Sequence, residues 1–248
     1  QIARKNYLDE IIARDLVTVF EPTVASYDWT ADDNGKGKLT KGGSGGTDTP
    51  LANYSLASSG SDEAFGYGGP NPYMPALHHG KNIYFGNLEN GTVTLKNNID
   101  QGAGGLTFEG DFVVQPNADE TWKGAGVSVS EGSTVTWKIK NPAGDRLSKI
   151  GQGTLLVNGK GENLGDISVG DGVVVLNQQA DEKGKKQAFN QLGIVSGRST
   201  VKLESDDQVN PNNIYFGFRG GRLDLNGHSL TFNRIQNTDE GAQIVNHN

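Results

Sequence analysis

The chain has 248 residues, 34% of them hydrophobic, with 36 glycines in no Gly-X-Y period and a formal net charge of −7. That length holds one large all-β domain or two smaller ones, and the composition excludes collagen, while an acidic chain without a basic cluster has no electrostatic basis for binding nucleic acid or an anionic membrane surface. With no cysteine there is neither a disulfide nor a thiolate metal site, and no stretch approaches the roughly 20 apolar residues of a membrane-spanning helix.

In chain order, residues 1–20 are the one convincing helix candidate. Ile2, Leu8, Ile11, Ile12 and Leu16 fall near one face, although the β-branched end, 16–20, also reads as a strand. Glu21-Pro22 ends any helix there. Tyr27 and Trp29 alternate with polar residues ahead of an Asn34-Gly35 hairpin signal. KGGSGG at 41–46 superficially resembles the glycine-flanked serine of trypsin-like proteases. Gly43 stands where that motif has Asp, so Ser44 reads as a loop residue. Residues 50–80 are rich in Pro, Gly, Ser and Asn and read as a long surface loop or a small insertion. His78-His79 lies in it without a third ligand at zinc spacing, and reads as solvated or capping.

From Lys81 the strand pattern is continuous. NIYFGN and GTVTLKNNI read as a hairpin-like pair around Glu89-Asn90-Gly91, followed by LTFEGDFVV and by AGVSVSEGSTVTWKI with a turn at Glu131-Gly132. Then one phrase returns, a glycine turn before alternating apolar residues: GQGTLLVNG at 151–159, GDGVVVLNQ at 170–178, SGRSTVKLES at 196–205 and GGRLDLNGHSLTF at 220–232. Turn glycines at 132, 153, 172, 197 and 221 are separated, by subtraction, by 21, 19, 25 and 24 residues. That is the length of one parallel β-helix coil, in which three short strands feed three sheets and inward side chains stack coil on coil. The irregular spacing, and turns such as Asn226-Gly227, leave a β-sandwich open.

No group of residues rises to a catalytic site. His78, His79, His228 and His247 are not paired with a nucleophile motif. Asp32-Asp33, Asp206-Asp207 and Asp239-Glu240 offer carboxylates for polysaccharide cleavage, but neighbours on a strand face opposite ways, so they read as solvated turns. GAGG at 102–105 and RGG at 219–221 lack the following helix of a phosphate cradle. Trp122, Trp137, Tyr215, Phe216 and Phe218 read as core or coil-end packing rather than a sugar platform. Arg219 and Arg222 read as partners of Asp224 or Asp207, or as solvated. Catalytic, cofactor and metal residues are therefore expected to be none.

Several long phrases closely resemble the passenger domains of immunoglobulin A protease-like serine protease autotransporters, the adhesion-and-penetration type above all. They are NIDQGAGGLTFEGDFVV (98–114), TWKGAGVSVSEGSTVTWKI (121–139), DRLSKIGQGTLLVNGKGEN (145–163), SVGDGVVVLNQQADEKGKKQAF (168–189), GIVSGRSTVKL (193–203) and NIYFGFRGGRLDLNGHSLTFNRIQNTDEGAQIVNHN (213–248). The match is dense over 81–248, looser at KNYLDEI, and poor over 40–80. The resemblance implies an all-β, right-handed parallel β-helix stalk with a short N-terminal helix and an irregular loop region. It implies three parts: a linker or helix over 1–22 after an absent protease domain, an irregular, loop-rich β-helix start or small insertion over 23–80, and the β-helix over 81–248. The chain begins at Gln1 without an initiator Met, as expected of a fragment or processed product. The full-length parent is expected to be a chymotrypsin-like serine endopeptidase with its catalytic residues upstream of Gln1, so this chain is expected to be no enzyme. Its partners would be that protease domain and a downstream translocator β-barrel, with host surface proteins or sibling passengers beyond them and no nucleic acid. Its place would be secreted or at the bacterial cell surface, after passage through periplasm and outer membrane, in support of protease display, adhesion and virulence. An independent β-helical polysaccharide hydrolase or lyase is the alternative.

Overall fold

The computed structural model describes residues 16–19, 26–31, 37–42, 82–86, 91–102, 104–217, 219–233, 236–237 and 241–247. The helix expected over 1–20 lies outside them except for its last residues, as do Ser44, the 50–80 loop, Asn34-Gly35, His78-His79, Phe218, and the carboxylates of 32–33 and 239–240.

Short strands account for nearly all regular structure among the described residues. They are β1 (Leu16–Val19), β2 (Ser26–Ala31), β3 (Gly37–Lys41), β4 (Asn82–Gly86), β5 (Gly91–Leu95), β6 (Ile99–Asp100), β7 (Leu106–Glu109), β8 (Phe112–Pro116), β9 (Trp122–Lys123), β10 (Val127–Val129) and β11 (Thr134–Trp137). They continue as β12 (Arg146–Ile150), β13 (Thr154–Val157), β14 (Asp166–Val169), β15 (Gly172–Leu176), β16 (Leu192–Ile194), β17 (Ser199–Leu203), β18 (Ile214–Phe216), β19 (Gly221–Asp224), β20 (Gln236–Asn237) and β21 (Ala242–Val245). One sheet runs β1-β4-β7-β10-β12-β14-β16-β18-β20 and a second β21-β19-β17-β15-β13-β11-β8-β5-β2-β3. Every neighbouring pair in both is parallel except β2 with β3. The chain is a parallel β-helix of about seven turns, and parallel strands joined by crossovers wind right-handed in about 98% of cases. A sandwich of antiparallel hairpins is excluded.

The parallel pairing corrects two local readings. NIYFGN and GTVTLKNNI do not form a hairpin: β4 enters the first sheet and β5 the second. Asn226 and Gly227 do adopt positive φ, 45° and 81°, yet they turn a corner, because β19 pairs in parallel with both β17 and β21. The alternation that suggested hairpins is equally the alternation of a coil, whose successive strands also put every second side chain inward. Among the described strands, the antiparallel pair β2 with β3 flanks Asn34-Gly35.

Inward residues stack in columns, as the repeated phrase requires. Phe112, Val135, Leu155, Val174, Val201 and Leu223 form one column of the second sheet, and Tyr27, Val93, Val114, Trp137, Val157, Leu176 and Leu203 another. All are at most 3% exposed, so burial is continuous along the axis. Toward the first coils the filling is aromatic, with Phe85 stacked on Phe108 at 5.1 Å and Tyr27 and Phe112 closing around them. Trp122 and Trp137 meet edge to face at 5.7 Å. Coil length is uneven: Val157 pairs with Leu176, 19 residues on, and Leu176 with Leu203, 27 on. The excess is taken up between strands, so register inside the sheets stays intact.

The third face is mostly irregular. It has one two-stranded sheet, β6 with β9, and isolated parallel bridges Thr121–Lys140 and Lys160–Gln179. Buried amides hold it in place of a sheet. Gln101 accepts from Trp122 Nε1 at 3.0 Å, Asn163 donates to Asn141 Oδ1 at 2.8 Å, and Gln208 bonds the backbone N–H and carbonyl of Gln178. Such side chains satisfy carbonyl and N–H groups that a missing strand would leave open.

The ladder starts upstream of residue 81: β1 pairs with β4 and β2 with β5, in each case across 66 residues (Leu16 with Asn82, Ser26 with Thr92). One coil therefore contains far more chain than any other described coil, and β3 within it adds to the edge of the second sheet.

Candidate functional site

The outer face of the first sheet carries a shallow open trough. It is lined by one outward row, Asn82, Gly105, Gly126 and Ser148, and by the next, Thr107, Ser128 and Ile150. The small residues recur because outward positions in successive coils stack as the inward ones do. Ile150 is 53% exposed, and no titratable side chain lines the trough. Further along the same face Tyr215 lies over Gly193, its partner across the β16–β18 ladder, where a Cβ would strike the ring. Arg146 reaches across the intervening strands, donating from Nη1 to the Tyr215 hydroxyl at 2.6 Å, with its guanidinium carbon 5.6 Å from the ring centre.

The polar residues singled out in the sequence do not converge. Asp206 meets His228 Nδ1 at 2.7 Å, and Asp224 meets His247 Nδ1 at 3.0 Å, one coil apart. Burial raises the Asp224 carboxyl, but bonds from the backbone N–H groups of His247 and Asn226 and from the His247 ring outweigh it and hold the pKa below the usual value. Both pairs close corners after strands of the second sheet. Asp207, at φ 58°, turns the chain. Ser205 accepts from Lys186 at 3.3 Å, while His228 is engaged by Asp206, so these side chains assemble no nucleophile–base–acid relay. Arg222 bonds Gln243 at 3.3 Å rather than Asp224 or Asp207. Trp122, Trp137 and Phe216 are buried, as packing residues should be, while Tyr215 is half-buried on the outside. Among the described residues, no three His, Cys, Asp or Glu side chains group closely enough to hold a metal ion.

Sequence reasoning missed Lys149. It is fully buried and stands in an inward column of the first sheet, with Val127 on one side and Val169, Ile194 and Phe216 on the other. Its amine donates to the carbonyls of Gly151 (2.7 Å), Gly153 (2.6 Å) and Asp171 (2.8 Å). Burial pulls its pKa down to about 8, against a smaller opposing pull from Asp171. The signal was present in RLSKI: Leu147 and Lys149 share parity. The exposed Ile150 blurred it, by offering an apolar residue at the wrong parity.

No family model matches the chain. Among curated relatives, the adhesion and penetration protein autotransporter of Haemophilus influenzae is 56% identical over 264 residues, spanning all of this chain and 19% of the relative. The immunoglobulin A1 protease autotransporter of the same species is 64% identical over 172 residues, 69% of this chain and 10% of the relative. The crystal structure of the Haemophilus influenzae Hap adhesin superposes with a TM-score of 0.84 at 49% identity, over 98% of this chain and 27% of that one. The chain is an autotransporter passenger β-helical stretch related to these proteins. The passenger stretch spans about a fifth or less of the length of those curated relatives. Like the passengers it resembles, it is secreted or exposed at the bacterial surface. None of these relatives is a polysaccharide hydrolase or lyase, and that alternative has no support.

Proposed function

We propose that this passenger stretch is a stalk with no catalysis of its own, which carries a serine protease domain of the same precursor and holds it away from a translocator barrel. The observation that carries this reading is the unbroken apolar stacking of the two inward columns of the second sheet, Tyr27 to Leu203 and Phe112 to Leu223. At about 4.8 Å per strand, the eight described steps of the first sheet give a rod of roughly 38 Å that cannot bend without opening its core. The relatives include serine protease autotransporters, which supports a protease in the parent. The uncharged trough beside Ile150 and the Arg146–Tyr215 clasp offer an outer face for contact with host proteins or sibling passengers, in keeping with the adhesion-type relatives.

A one-coil excision tests the stalk reading. Thr154 pairs with Val173, so removing 154–172 brings equivalent residues into register. In the full precursor, this deletion is expected to leave passenger secretion and protease kcat/KM within about twofold of wild type. Loss of proteolysis from a passenger that is still secreted would show that the coil takes part in catalysis.

A further inference from the structure

The corner around Lys149 has the geometry of an ion site. Three carbonyl oxygens converge on one point at 2.6–2.8 Å, two from the turn that follows β12 and one, Asp171, from the equivalent turn a coil further on. The backbone is shaped to aim them. Gly151 and Gly172 adopt φ of 79° and 67°, in the left-handed region, and a Cβ on Gly172 would run into the amine and two of the carbonyls. The three oxygens are neutral. The nearest carboxylate, Asp171, is turned to its neighbour's N–H, accepting from Gly172 at 2.8 Å, and lends the corner negative potential without entering it. Calcium and magnesium prefer shorter contacts, about 2.3–2.6 and 2.0–2.1 Å, and draw on carboxylates or water. Among cations, a cage of neutral carbonyls at ammonium distance suits a monovalent one, because the carbonyls replace part of its hydration shell; the lowered pKa of the buried amine is in keeping with that replacement being incomplete.

We propose that this corner is a monovalent-cation site which the native chain fills with its own tethered ammonium, Lys149, and which takes up free ammonium or potassium when that amine is removed. The cage is complete only when the coil bearing Asp171 has docked on the coil bearing Gly151 and Gly153. The cation is thus a pin between two coils, placed where the apolar column would otherwise run straight from Val127 to Val169. Emptied, the cage leaves the Gly151 and Asp171 carbonyls without the amine and Gly153 with only the Val173 N–H at 3.2 Å, which costs more than the lost aliphatic arm alone.

The test uses the full 248-residue chain as wild type and as Lys149→Ala, in 0.2 M chloride salts of ammonium, potassium and tetramethylammonium, the last too large for the cage. Wild type is expected to melt at one temperature in all three. The Lys149→Ala chain is expected to melt lower throughout, and about 2–4 °C higher in ammonium or potassium than in tetramethylammonium. If the variant does not fold in tetramethylammonium, the readout becomes refolding yield after dilution from urea, with recovery in ammonium or potassium as the expected result. Equal melting in all three salts, or equal failure to refold, overturns the proposal and leaves water as the occupant of the corner. Ion-specific shifts of the same size in wild type overturn it as well, because they place the effect outside the cage.

Discussion

A lysine in the middle of an apolar column has a measurable consequence for pH dependence. The buried amine of Lys149 titrates near 8, against about 10.4 for a lysine in an unfolded chain. Between those values the unfolded chain binds more protons than the folded one, so the unfolding free energy rises with pH across that window. At pH 7 the amine is still charged and its three carbonyls are all served. Replacing it by methionine keeps the arm and removes the titration. Urea unfolding at pH 7.5 and 10.5 should therefore show a gain for wild type that Lys149→Met lacks, about 1–2 kcal/mol after discounting for screening near a corner. An equal change in both chains would contradict the assignment of that buried charge.

Turns differ in how much they depend on glycine. Gly132 has φ 79° with nothing within 4 Å of the point where an added methyl group would stand, whereas Gly172 has φ 67° and is hemmed in by Gly151 O, Gly153 O and the Lys149 amine. Gly132→Ala carries only the conformational penalty, about 1–2 kcal/mol. Gly172→Ala adds a clash with backbone atoms that cannot swing aside, for about 3–5 kcal/mol in all. Denaturant midpoints of the two variants decide it, and equal losses would mean that the corner yields. This contrast was not legible in the sequence, where both glycines look alike ahead of a strand. The strands themselves were legible, because alternation with period 2 stands in GTVTL and STVKL, and short apolar runs after a turn glycine in GTLLVNG and GVVVL, whatever the pairing. Their partners were not: the same alternation serves a hairpin or a coil, which is why β4 and β5 read as a pair.

Over the whole molecule, the 20–25-residue recurrence of turn glycines pointed to the coil and the resemblance to its family, but neither showed where the coils begin. The 66-residue step from β1 to β4 hides the first coil, since Pro, Gly and Ser between them read as loop. The third face was equally hidden. Expected as a third sheet, it is largely a line of buried amides, Gln101, Asn141, Asn163, Gln178 and Gln208, and single polar letters in a sequence look like solvated turns. His228 and His247 stood apart in the sequence from any nucleophile motif, and in the fold each closes a corner with one aspartate. A stalk that only supports a protease domain, as proposed, should turn over nothing by itself. The decisive measurement is to assay the purified 248-residue chain and the full-length passenger, at equal concentrations, against protein and polysaccharide substrates. Turnover of protein by the full-length passenger and none by this chain is the expected result; hydrolysis by the chain alone, lost on substitution of one of its own side chains, would overturn the stalk role.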